Sequence, residues 1–182
     1  MRVTEAPLPG ILIIEPHIHS DSRGYFFESY NLNKLKSYGV TMQFVQDNQS
    51  KSGFGVVRGL HYQLQPYAQV KLVRVLQGTI YDFAVDIRKN SSTFGKYFGL
   101  ELSDENNKQL LIPVGFAHGF AVLSESAIVF YKCDKFYNPS AERGIRYNDP
   151  DLNIDWKLKQ EDIEVSERDS VLPLFRDAEM NF

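Results

Sequence analysis

Short runs of alternating apolar and polar residues, separated by Gly, Pro, Asn and Ser, fill the middle of this chain. They predict strands over residues 69–76, 79–88, 95–102, 109–113, 119–123 and 127–137, with turns at 77–78, 89–92, 113–115 and 124–126. Strands recurring at this spacing indicate an antiparallel sandwich or barrel. In the 79–88 run, Tyr81, Phe83, Val85 and Ile87 fall on one face, and Ile80, Asp82, Ala84, Asp86 and Arg88 on the other. Taken alone, that strand reads as half-buried, with its second face in solvent. Helical signals are few. Asn31 ahead of Leu32 and Leu35, with Gly39 behind, predicts one short helix, and Ser166-Glu167-Arg168-Asp169 predicts a single helical turn. The expected fold is therefore all-β with a few short helices. No repeat, low-complexity tract or flexible linker divides it, so residues 1–182 form one expected domain.

Composition narrows the function more than the fold. The 13 Phe and 10 Tyr suit pleated strands, where aromatic side chains pack well. A net charge of −3 argues against a nucleic-acid partner, which calls for a clear basic excess. Cys133 is the one cysteine, so an internal disulfide is impossible and the residue reads as a small buried hydrophobe. The stretch from Met1 to Ile14, with Glu5, Pro7 and Pro9, lacks the long apolar core of a signal peptide. No segment approaches the ~20 apolar residues that span a bilayer. A cytoplasmic protein without a membrane partner is expected.

Reactive side chains concentrate in four segments: Asp21-Ser22-Arg23-Gly24 through Glu28; Gln46-Asp47-Asn48 with Val57-Arg58-Gly59-Leu60-His61-Tyr62-Gln63; Lys71-Leu72-Val73-Arg74-Val75; and Pro113-Val114-Gly115-Phe116-Ala117-His118-Gly119-Phe120 with Tyr131-Lys132. Pro113 to His118 resembles the second motif of cupins, a turn that delivers a histidine to the mouth of a jelly-roll β-barrel. Metal-binding cupins pair it with an earlier His-x-His, but here Gln63 stands where the histidine after His61 would be. His17-Ile18-His19 has a chelating spacing, yet it lies near the N-terminus and reads as a solvated edge. A tight divalent site needs three or four converging ligands, so no metal is expected.

Together these segments resemble the dTDP-4-dehydrorhamnose 3,5-epimerase family over nearly the whole chain, where dTDP is thymidine diphosphate. The resemblance implies a cupin-like antiparallel β-barrel and an isomerase acting on a dTDP-4-keto-6-deoxy sugar. It implies no cofactor, and none is expected for a step without net redox change. It also implies a homodimer in which an N-terminal strand reaches the neighbour. Epimerisation beside a ketone needs a base for the α-proton, a charge to hold the enolate oxygen, and an acid on the opposite face. By resemblance His61 is the base with Asp169 as its carboxylate partner, Lys71 holds the enolate, and Tyr131 is the acid. Arg23, Arg58 and Arg143 are implied to grip the diphosphate. Phe26, Glu28, Gln46, Asn48, Tyr137 and Glu142 are implied to hold the rest of the substrate, with His118 as a second sugar-contacting histidine.

Without the family pattern each residue has a plainer reading. His61 reads equally well as a core histidine, Asp169 as a helix cap, Lys71 as an edge lysine and Tyr131 as packing. If Lys71 does point inward with Val73 and Val75, its ammonium needs a partner, for which Asp82 is the choice. Arg58 and His61 have opposite parity on a regular strand, so both can face one pocket only across an irregularity, and Gly59 is the natural place for a bulge. Three other functions stay open at this stage: an epimerase of one carbon only, a metal-dependent cupin, and a non-catalytic sugar-nucleotide binder.

Overall fold

The structure, a computed structural model, describes residues 1–182. Its strands are β1 (Arg2–Glu5), β2 (Leu12–Glu15), β3 (His19–Asp21), β4 (Gly24–Phe26), β5 (Gln46–Gly53), β6 (Val57–Gln63), β7 (Lys71–Gln77), β8 (Thr79–Asp86), β9 (Tyr97–Ser103), β10 (Gln109–Ile112), β11 (Phe116–Val122), β12 (Ser126–Cys133) and β13 (Glu142–Gly144). The helices are α1 (Leu32–Lys36) and α2 (Glu167–Ser170), with two single 3-10 turns near the C-terminus. Asn31 and Ser166 cap the two helices by accepting the backbone N–H groups of Lys34 and Asp169.

Two antiparallel sheets form a cupin-like jelly roll. One runs β1-β2-β10-β7-β12-β5 and the other β13-β6-β11-β8-β9, while β3 and β4 make a separate hairpin. Val73, Val75 and Val129 of the first sheet meet Ile80, Ala84, Phe120 and Val122 of the second in the core between them. The outer face of the second sheet is also covered. Val57, Leu60, Phe83, Val85 and Ala117 pack there under Ile145, Leu152, Trp156 and Met180 of the C-terminal segment. Helix α1 seats Leu35 on Leu72 and Leu111 across the outside of the first sheet, and burying such a leucine contributes about 1.5–3 kcal/mol.

Every strand expected between residues 69 and 137 exists within a few residues of its predicted bounds. The last is shorter than expected: β12 ends at Cys133, and Tyr137 lies in the loop beyond it. The solvent-facing reading of the 79–88 run is overturned. Ile80, Asp82, Ala84 and Asp86 are all fully buried, because this side of β8 looks into the sandwich while Phe83 and Val85 look under the C-terminal cover. Cys133 is buried as expected, and burial pushes its thiol up to about 11. His17 and His19 are exposed, and their rings meet edge to face.

Candidate active site

At one end of the sandwich the residues facing inward change from apolar to polar. On β7, Val73 and Val75 join the core while Lys71 continues the same row. On β12, Val129 is followed two residues on by Tyr131. β5 turns Gln46, Asn48, Ser50 and Ser52 inward and leaves its odd-numbered residues in solvent. These side chains form one wall of a cavity with two adjoining lobes of about 320 and 270 Å3, both lined by Asn48, His61, Lys71 and Tyr131. Tyr137, Glu142 and Gln63 complete the outer lobe; Arg58, His118 and Phe120 complete the inner one.

β6 supplies the opposite wall through the irregularity that parity demands. His118 pairs with His61 but Phe120 pairs with Arg58, so β6 carries one residue more than β11 across this stretch. The extra residue falls at Gly59-Leu60, joined by a cis peptide, with Gly59 at a φ of 124°. A Cβ on Gly59 would lie 2.5 Å from the Gly119 Cα and 2.8 Å from the His118 carbonyl oxygen. Only glycine allows the two strands to approach this closely. The bulge points Arg58 and His61 into the same cavity and leaves Leu60 in the outer apolar layer.

His61 lies 2.8 Å through Nε2 from Asp169 Oδ1, across 108 positions of sequence. Asp169 Oδ2 accepts the Gly59 N–H at 3.2 Å. Burial alone would raise the Asp169 carboxyl; the hydrogen bond and charge of His61, the Gly59 N–H and nearby Arg168 together hold it below the ordinary carboxylate range. The His61 ring is 29% exposed and its Nδ1 has no protein partner. Across the cavity, burial raises the Tyr131 phenol, with Cys133 and Glu142 adding to the effect and Arg58 opposing it. Burial lowers the Lys71 ammonium, against the pull of Cys133, Asp82 and Glu142. The Lys71 Nζ sits 5.9 Å from the Tyr131 ring centre.

The structure brings together His61, Asp169, Lys71, Tyr131, Gln46, Asn48, Arg58, His118, Tyr137 and Glu142. Arg23, Phe26 and Glu28 do not line this cavity: Arg23 pairs with Asp21, Glu28 with Lys34, and the hairpin forms a shallow depression of its own. Arg143 also stays out of it, held by Glu179 and by the carbonyls of Ser140 and Glu142. The residue that reaches Glu142 is Arg168, at 2.6 Å, and Tyr137 donates to the same Glu142 oxygen at 2.5 Å. Sequence reading passed over Arg168, although it adjoins Asp169. The expected Lys71–Asp82 ion pair does not form; Asp82 accepts from His118 Nε2 at 2.8 Å instead. Gln63, in the place of a cupin metal ligand, ties two loops by donating to the Tyr67 carbonyl and accepting the Asn138 N–H. No three His, Cys, Asp or Glu side chains converge as ligands.

A family model described as dTDP-4-dehydrorhamnose 3,5-epimerase matches residues 5–177. The chain belongs to that family. Its activity is therefore an isomerase activity, the 3,5-epimerisation of a nucleotide sugar. The chain is similar to the dTDP-4-dehydrorhamnose 3,5-epimerase of Shigella flexneri, 52% identical over 160 residues that cover 87% of this chain and 88% of the relative. A crystal structure of the same-named enzyme from Elizabethkingia anophelis superposes with a TM-score of 0.93 at 52% identity, covering 97% of each chain. The dTDP-6-deoxy-D-glucose-3,5-epimerase of Legionella pneumophila, solved with dTDP-4-keto-L-rhamnose, matches at a TM-score of 0.93 and 46% identity, over 97% of this chain and 93% of that one. Within this family the polar cavity is the place to look for the epimerising groups.

Proposed function

We propose that this cavity converts dTDP-4-dehydro-6-deoxy-D-glucose to dTDP-4-dehydro-L-rhamnose, a step in the synthesis of dTDP-L-rhamnose, with His61 as base and Tyr131 as acid. His61 Nδ1 takes the proton from the carbon beside the ketone, and Asp169 stabilises the imidazolium that forms. The electron pair of the broken C–H bond moves into the ring and leaves an enolate at the C4 oxygen. Lys71 meets that charge in a site of low dielectric, where one oriented donor contributes about 3–4 kcal/mol. The Tyr131 phenol then returns a proton from the far side, which inverts the carbon, and both groups re-equilibrate with water. In the D-gluco ring the C3 and C5 hydrogens lie on one face, so a single base serves both carbons in turn.

The observation that carries this reading is the opposition of groups across one cavity. The His61–Asp169 pair belongs to the β6 wall, and Tyr131 and Lys71 belong to the β7–β12 wall. A burial-raised phenol stays protonated at neutral pH, as an acid must. Gln46, Asn48 and the half-exposed Tyr137 suit a nucleotide base at the mouth, and Arg58 and Arg168 suit a diphosphate. Arg23, Phe26 and Glu28 fit the same substrate from a second copy of the chain, so the working unit is a homodimer. No helix is long and apolar enough to cross a membrane, which accords with a cytoplasmic enzyme drawing on a soluble substrate.

The test is incubation with the 4-keto-6-deoxyglucose substrate in heavy water, followed by locating deuterium in the sugar. Label at C3 and C5 is expected, and label at one carbon would reduce the enzyme to a mono-epimerase. His61→Ala should abolish exchange at both carbons while dTDP still binds. Tyr131→Phe should keep proton removal but slow product formation at least 100-fold; wild-type behaviour in either variant refutes the role assigned.

A further inference from the structure

β8 carries two fully buried carboxylates, Asp82 and Asp86, on the same side. Asp86 has both oxygens satisfied: Oδ1 accepts from the Arg88 N–H and Nε, and Oδ2 from Arg88 Nη2, Ser91 Oγ and Thr93 Oγ1. Asp82 is different. Its Oδ1 accepts only from His118 Nε2, at 2.8 Å, and its Oδ2 is buried with no partner. Burying a carboxylate for one hydrogen bond is costly and serves structure poorly. That one bond goes to a histidine lining the inner lobe, in register with His61 on the neighbouring strand.

We propose that Asp82 is a positioning residue that sets the tautomer of His118, so that the inner lobe offers a hydrogen-bond acceptor to the C2 hydroxyl of the sugar. The sugar's identity rests on the function proposed above. A carboxylate can only accept, so its partner Nε2 carries the ring proton. In the neutral ring Nδ1 is then a bare acceptor, and it has no protein partner. Burial favours the neutral ring, reinforced by the charges of Lys71 and His61 and opposed by Asp82. Lys71, Arg58 and Tyr131 bring donors to the same lobe, so His118 adds the complementary function. A 4-keto-6-deoxy hexose joined to a diphosphate at C1 has two free hydroxyls, at C2 and C3. The C3 oxygen changes face when C3 inverts and the C2 oxygen does not. An acceptor fixed in the wall keeps its grip through both inversions only on the C2 hydroxyl.

Long-range 1H–15N spectra of the labelled protein read the tautomer without any substrate. They should show His118 protonated at Nε2 and bare at Nδ1; a proton on Nδ1 overturns the proposal. Turnover is then compared for the full substrate and its 2-deoxy analogue. The wild type should prefer the hydroxyl-bearing sugar by about 10- to 100-fold in kcat/KM, the cost of leaving one buried acceptor unpaired. In Asp82→Leu that preference should fall at least 10-fold towards unity, mostly by loss on the full substrate. A merely structural Asp82 would slow both sugars equally and leave the ratio unchanged, which refutes the proposal. His118→Phe gives the same comparison at the acceptor itself should the Asp82 variant fail to fold. A wild type that labels neither sugar in heavy water sinks the proposed reaction, and the 15N spectrum still decides the tautomer.

Discussion

Five donors converge on the buried Asp86 carboxylate. Burial would raise its carboxyl, but the hydrogen bonds from Arg88, Ser91 and Thr93 outweigh that and bring it down to about 2, from an ordinary 3.8. A carboxylate lowered on folding stabilises the native state above its ordinary pKa, and that stability drains away as pH falls through the folded value. The window here runs from about pH 4 to about pH 2, and the lowering corresponds to about 2 kcal/mol. Asp86→Asn should therefore lower the urea midpoint at pH 6 with an unchanged m value. The deficit should shrink towards pH 2; an equal deficit at both pH values would show that the carboxylate charge is not the source. At this scale the reactive side chains were legible, and so was one partnership. The family resemblance pairs His61 with Asp169 across 108 positions, and the structure joins them, although no local pattern points to the contact. Asp82 pairs with His118 rather than Lys71, because β11 lies beside β8 and β7 belongs to the other sheet.

Among the elements, β6 decides whether the site exists. Its bulge turns Arg58 and His61 to one side, and the Gly59 N–H helps to hold Asp169. Gly59→Ala would set a Cβ 2.5 Å from Gly119 and push β6 away from β11. We expect a loss of about 1–3 kcal/mol in stability from the backbone misfit, and a fall in heavy-water exchange that persists at temperatures where the variant is fully folded. Wild-type exchange in a folded Gly59→Ala protein would mean that the bulge does not position His61. β5 shows the limit of pattern reading. Its sequence, QDNQSKSG, has no apolar alternation, so it gives no strand signal. It is a strand nonetheless, since its inward face lines a polar cavity and needs no apolar residues there.

For the whole molecule the open feature is the β3–β4 hairpin. Phe26 is 72% exposed and Tyr25 61%, and Arg23 pairs with Asp21 and does not line its own chain's cavity. Exposed aromatics beside charge mark an interaction surface, and the proposed dimer gives them an occupant. Sedimentation of the intact chain should return twice the monomer mass, and Arg23→Ala should raise KM for the nucleotide sugar about tenfold without lowering stability. A monomer with full activity would end the proposal.

The all-β class, the central strands, both helix caps and the membership of a family can be read along the chain, since alternation, turn chemistry and motif order are local properties. The burial of both faces of β8, the end of β12 before Tyr137, and the pairing of Arg168 with the Glu142 carboxylate at the cavity emerge only in the folded protein. Those outcomes depend on the C-terminal segment folding back over the second sheet and carrying α2 to the mouth of the site. Such long-range packing is set by which surfaces meet in space, and no local pattern records it.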